Sequence, residues 1–137
     1  MTQTLEVKPL TISPVDYFSA KLAYEMTPWT LKGMVVDNGT SCCGMKADSL
    51  LIVDVRSTEQ YNAGHLPTAI NIPLADLVSK MSSLPKDKTI VTYCSNLTCA
   101  LAPKAALTLA EKGFKVQELM GGIATWTEYG FPVEKKA

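Results

Sequence analysis

The stretch "KTIVTYCSNLTCALAPKAALTLAEKG", Lys88 to Gly113, decides the fold. "KTIVTY" is short, rich in β-branched and aromatic residues, and predicts a buried strand. "ALAPKAALTLAEKG" is mostly alanine and leucine and ends on Gly113, which predicts a helix. Pro103 lies near its start, where proline is tolerated. A strand that passes through a short loop straight into a helix is half of a βαβ unit.

The same alternation extends in both directions. "SLLIVDV", "AINIP" and "FKVQEL" read as further strands. "RSTEQYNAG" reads as a short helix capped by Ser57 or Thr58 and stopped by Gly64. "LADLVSKM" reads as a helical turn or two, and "GGIATWTEYG" as a last helix between glycines. Strands alternating with helices predict an α/β fold, with a largely parallel central sheet of about five strands flanked by helices. Upstream, "SPVDYFSAKLAYEM" predicts a helix with Ser13 as N-cap and Pro14 in its first turn, with Val15, Phe18, Leu22 and Met26 forming one apolar face. "TPWTLKGMV" predicts a second, opened by Thr27, and the turn-rich "DNGTSCCGMKAD" a surface loop. The expected organisation is one domain: a helical lead-in over 1–49 and a core over 50–137.

Bulk composition narrows the functional classes. Thirteen Lys and Arg balance thirteen Asp and Glu, so no electrostatic footprint for nucleic acid or an anionic membrane is expected. No window approaches the length of a membrane span. "MTQTLEVKPL" lacks the pattern of a secretory signal, so the expected location is cytoplasmic. In a reducing compartment Cys42, Cys43, Cys94 and Cys99 read as catalytic, metal-binding or core thiols rather than disulfides. With His65 the lone histidine, any Cys–His pair must use it.

Cys94 holds the most informative position. Ligands of open α/β sheets bind at the carboxyl ends of strands. There, loop amides and the partnerless first amides of a following helix converge. A thiol so placed should ionise more easily than a free cysteine. The competing reading is a plain core cysteine.

Three separated motifs then bring a family into view. "LLIVDVRSTEQYNAGHLPTAINIPL", "VTYCSN" and "AALTLAEKGFKVQELMGGIATWTEYGFPV", in that order, resemble the rhodanese family from about Leu50 to Val133. The resemblance implies a single-domain sulfurtransferase that carries a sulfane sulfur as a persulfide on Cys94. The donor would be small (thiosulfate, mercaptopyruvate or polysulfide), and the acceptor thiophilic (cyanide, a thiol or a protein). No metal or organic cofactor is implied. The active-site loop would be Ser95, Asn96, Leu97, Thr98 and Cys99, whose amides would cradle the sulfur. The loop departs from the family's habit: Leu97 stands where glycine is common, and Cys99 where a cation or hydroxyl often sits. In "GHLPTA", Thr68 replaces the usual glycine, read here as a mild change.

Asp54, Arg56 and His65 are read as supporting residues. Strand alternation puts Asp54 and Arg56 on one face, with Arg56 expected to pair with Glu59 and Asp54 to accept loop amides. His65 is expected to brace structure, and Trp126 to pack in the core. Cys99 is either a small inert residue opening the helix or a resolving thiol for Cys94. Other functions remain open: a non-catalytic binding or sensing module, a Cys94/Cys99 thiol–disulfide protein, and a phosphatase or arsenate reductase, which would need a loop arginine. A zinc site from Cys42, Cys94, Cys99 and His65 lacks standard spacing. Cys42 and Cys43 are otherwise read as exposed thiols.

Overall fold

Five parallel strands, in the order β1-β5-β4-β2-β3, form the central sheet of the computed structural model, which describes residues 11–40 and 44–136. Cys42 and Cys43, with part of the expected surface loop around them, lie outside the described residues. The strands are β1 (Glu25–Met26), β2 (Leu50–Asp54), β3 (Ile70–Asn71), β4 (Thr89–Tyr93) and β5 (Lys115–Leu119). The helices are α1 (Pro14–Tyr24), α2 (Pro28–Val35), α3 (Thr58–Ala63), α4 (Leu77–Lys80), α5 (Leu101–Glu111) and α6 (Gly122–Glu128). The α/β architecture expected from the alternation is the one found. Its central pairing runs in register from Leu50 opposite Thr89 to Asp54 opposite Tyr93.

Period-two alternation divides the core into two layers. Leu50 and Ile52 of β2 and Val91 and Tyr93 of β4 face one side, where they meet Leu31 and Met34 of α2 and Trp126 of α6. Val53 and Ile90 face the other, with Val55 and Cys94 just past the strand ends. There they meet Leu77 of α4 and Ala102, Ala105 and Leu109 of α5. Helices on both faces of a parallel sheet explain why these strands read as continuous apolar runs. Each fully buried large side chain, such as Leu31, contributes roughly 1.5–3 kcal/mol.

The helix starts follow capping chemistry. The Ser13 hydroxyl accepts the Asp16 amide at 3.1 Å, and Thr27 accepts that of Thr30 at 3.2 Å. Ser57 makes a capping box with Gln60. Trp126 is wholly buried, and its indole donates to the Pro132 carbonyl at 2.8 Å.

The lead-in departs from expectation twice. The first helix ends at Tyr24, and Glu25–Met26 pairs with β5 as an edge strand. The apolar stripe of α1 does not enter the core: Val15, Phe18 and Leu22 are all exposed. Phe18 and Leu22 instead edge a groove of about 580 Å³ floored by Met26 and Met120. Only Met26, carried by the strand, is buried. Periodicity records an amphipathic face but not what covers it.

Candidate active site

The chain leaves β4 at Tyr93, and Cys94 is the next residue. Its side chain falls on the α4/α5 face and is almost wholly buried, at 2% exposure. Loop residues Ser95 to Ala100 then curl into α5. Thr92 fixes the helix start by donating from Oγ1 to the Ala102 carbonyl at 3.0 Å. Leu97 is 80% exposed at the tip. Its φ is not positive, so the loop closes without glycine there. Asn96 does that work. Its Oδ1 accepts from the Thr98 amide at 3.1 Å and hydroxyl at 3.0 Å, and its carbonyl accepts the Cys99 amide at 3.2 Å.

The N-cap of α5 is Ala100, which makes no side-chain cap bond. The first intrahelical bond is from the Lys104 amide to Ala100, and Pro103 has no N–H. Leu101 and Ala102 are thus left with amides to satisfy, and two sulfurs serve. The Ala102 and Ser95 amides point at Cys94, and those of Leu101 and Ser95 at Cys99. Cys99 sits two residues before α5, which corrects the reading of it as the helix's opening residue.

The Cys94 sulfhydryl donates to the Cys99 carbonyl oxygen at 3.3 Å, and the Cys99 thiol bears on it electrostatically. This corrects the expectation that Cys94 ionises easily. Burial pushes its thiol up to about 11, Cys99 adds to this, and the amides of Ala102 and Ser95 only partly oppose it. Burial also opposes ionisation of Cys99. There the Leu101 amide, the Cys94 thiol and the Ser95 amide prevail and hold the thiol below its usual range. Cys99 is therefore the more readily ionised of the two thiols, and Cys94 the more reluctant. Glu118 of β5 bears electrostatically on Cys99, and burial and Glu25 raise its own carboxyl above the ordinary value.

Beneath the loop lies the β5–α6 turn, whose importance the sequence reading missed. The Ile123 amide donates to the Cys94 carbonyl at 3.0 Å and the Ala124 amide to the Ser95 carbonyl at 2.9 Å. Gly122, at φ +61°, is so close that a Cβ would lie 2.5 Å from the Cys94 carbonyl oxygen. The visible signal was a Gly-Gly pair directly after a strand.

Asp54, Arg56 and His65 come together, but across the sheet from the sulfurs. Asp54 is wholly buried and accepts Arg56 Nη2 at 2.7 Å, the Arg56 amide at 2.9 Å and the Tyr93 hydroxyl at 2.7 Å. Arg56 Nη2 also donates to the Gly64 carbonyl at 2.7 Å. Arg56 thus pairs with Asp54 rather than Glu59, and Asp54 accepts no amide of the Cys94 loop. The reason is the strand period: Asp54 faces the Tyr93 side, and Cys94 the other. The Tyr93 hydroxyl accepts the Leu66 amide at 3.1 Å, tying in the "GHLP" turn. Burial and Asp54 push the Tyr93 phenol far above its normal range, so it stays a donor.

His65 stacks on Tyr61, with centroids 3.8 Å apart, and its Nδ1 donates to the Tyr61 carbonyl at 2.8 Å. Its backbone pairs with Glu134. These contacts give it a bracing part. Among the described residues, no three His, Cys, Asp or Glu side chains form a group that could hold a metal.

A family model described as a rhodanese-like domain matches residues 44–129. An HTH-type transcriptional regulator of Mycobacterium tuberculosis is 40% identical over 92 residues, which cover 67% of this chain and 41% of the regulator, so the chain spans under half of that relative. A protein named sulfurtransferase from Allochromatium vinosum is 32% identical over 87 residues, covering 63% of this chain and 79% of its own. Among solved structures, the crystal structure of a Bacillus halodurans protein superposes with a TM-score of 0.77 at 35% identity, covering 87% of this chain and 82% of that one.

Proposed function

The chain belongs to the rhodanese-like domain family, and from that premise we propose that it is a sulfurtransferase using Cys94 as a persulfide carrier. The observation that supports this most is the Cys94 sulfur at the end of β4, facing the Ser95 and Ala102 amides and 3.3 Å from the Cys99 carbonyl oxygen. Cys94 gives up its proton to solvent and attacks the sulfane sulfur of a donor. The new S–S bond forms as the donor's bond to that sulfur breaks, and the leaving group departs with the electron pair. Amide donors hold the charge that the persulfide then bears. A thiophilic acceptor (cyanide, a thiol or a protein) removes the outer sulfur and restores Cys94.

The loop from Cys94 to Cys99 contains no Lys or Arg, and Glu118 bears on its far end. Both features favour a singly charged donor such as mercaptopyruvate over doubly charged thiosulfate. Steady-state transfer from polysulfide, mercaptopyruvate and thiosulfate to cyanide tests the proposal. Turnover is expected with mercaptopyruvate above thiosulfate, and its loss in Cys94→Ser. Turnover that survives in Cys94→Ser would refute the carrier role.

A sensing module is the second reading, favoured by the raised Cys94 thiol and the likeness to a regulator. It calls for no turnover with any donor.

A further inference from the structure

Resting on the sulfurtransferase reading, we propose that Cys99 resolves the Cys94 persulfide within the loop, releasing hydrosulfide and leaving a Cys94–Cys99 disulfide that a dithiol reductant reopens. The protein would then reduce sulfane sulfur rather than only relay it.

The geometry starts from the resting pair. Both cysteines are free, Cys94 is buried and Cys99 is partly accessible. The Cys94 Sγ already lies 3.3 Å from the Cys99 carbonyl oxygen, inside one short loop. The Cys94 Sγ becomes the inner sulfur of the persulfide, so Cys99 is next to the atom it must attack. A nucleophile held in the same loop attacks with a large effective concentration, which no outside acceptor has. The amides of Leu101 and Ser95 favour the Cys99 thiolate that this step needs.

The step balances. The Cys99 thiolate forms a bond to the Cys94 Sγ. The bond from that atom to the outer sulfur breaks, and the outer sulfur leaves with both electrons and the proton that Cys99 gives up, as HS⁻. The sulfane sulfur is reduced by two electrons, and the two cysteine sulfurs are oxidised together to the disulfide. No outside oxidant enters. An external dithiol then supplies two electrons, becomes a disulfide itself, and returns both cysteines to thiols. A disulfide needs a close Cα approach, under about 7 Å, and the 3.3 Å from the Cys94 sulfur to the Cys99 carbonyl oxygen already brings the two residues together.

A single-turnover experiment without oxygen tests this. The full chain carrying Cys42→Ser and Cys43→Ser is loaded with one equivalent of inorganic polysulfide and desalted, and its mass and released sulfide are followed. The expected course is gain of one sulfur mass, then its loss, with one equivalent of sulfide freed. The product is a species two hydrogens lighter than the dithiol, which dithiothreitol returns to the starting mass. Adding Cys99→Ser, or separately Cys99→Ala, is expected to abolish sulfide release and leave the persulfide intact. A persulfide that persists while Cys99 is present would overturn the inference and leave the carrier reading standing. So would sulfur found on Cys99 with no sulfide freed. Failure of the Cys99 variants to take sulfur at all would remove the carrier reading and this inference with it.

Discussion

At the residue scale, three local physical facts have measurable consequences. Burial pushes the Cys94 thiol up to about 11, while the Leu101 and Ser95 amides bring Cys99 below its ordinary value. Alkylation requires thiolate, so at neutral pH iodoacetamide is expected to modify Cys99 before Cys94, as peptide mapping would read. Cys99→Ala removes the neighbouring thiol that helps raise Cys94 but keeps the burial. The midpoint of Cys94 alkylation should therefore fall, and an unchanged midpoint would contradict the coupling. Thr68 is a different case. It sits at φ 66° as the third residue of the turn Leu66–Ala69, with Pro67 second and the Ala69 amide bonded to the Leu66 carbonyl at 3.2 Å. That turn requires a left-handed residue there, which a β-branched side chain resists. Strain of about 1–2 kcal/mol, less glycine's extra unfolded-state freedom, makes Thr68→Gly stabilising by about 0.5–1 kcal/mol. The sequence reading treated Thr68 as mild because residue identity alone did not reveal the sign of φ. Urea midpoints would check the direction, and a lower midpoint would refute it. Asp54 is buried against Arg56, so Asp54→Asn strands a guanidinium and should cost about 3–5 kcal/mol. Because that pair faces away from Cys94, the folded variant should retain its sulfur-transfer rate.

At the scale of elements, the site is a junction of three: the end of β4, the start of α5 and the β5–α6 turn. The first two were legible as an apolar run ending at Cys94 and an alanine- and leucine-rich helix after it. The third was not, because the close approach of Gly122 to the Cys94 carbonyl is a long-range contact with no local signature beyond two glycines. Gly122→Ala would force a Cβ into the Cys94 carbonyl oxygen and the Asn96 amide. It is expected to displace the loop and lower sulfur transfer far more than it lowers the unfolding midpoint. Equal transfer rates in variant and parent would contradict the turn's positioning role. The α1 face makes the converse point: its helical period was correctly read, while its exposure depended on packing that no local pattern encodes.

At the scale of the whole molecule, the parallel sheet does two separate jobs on its two faces. One holds Asp54, Arg56, Tyr93 and the His65 turn in a buried polar network that fixes the strand ends. The other carries the two sulfurs. The period of the strand made that division legible in principle. Its consequence, that the polar trio supports the chemistry only through the backbone, became plain once Asp54 and Cys94 were placed on opposite faces. The ionisation order of the thiols lay beyond the sequence because it depends on the depth of one sulfur and the aim of individual amides. The most direct test of the central claim is intact mass with peptide mapping after brief anaerobic exposure to polysulfide, in Cys99→Ser to trap the adduct. The expected result is one added sulfur on the peptide bearing Cys94, absent when Cys94→Ser is also introduced. An unmodified Cys94 in a folded protein, with every donor, would contradict the account.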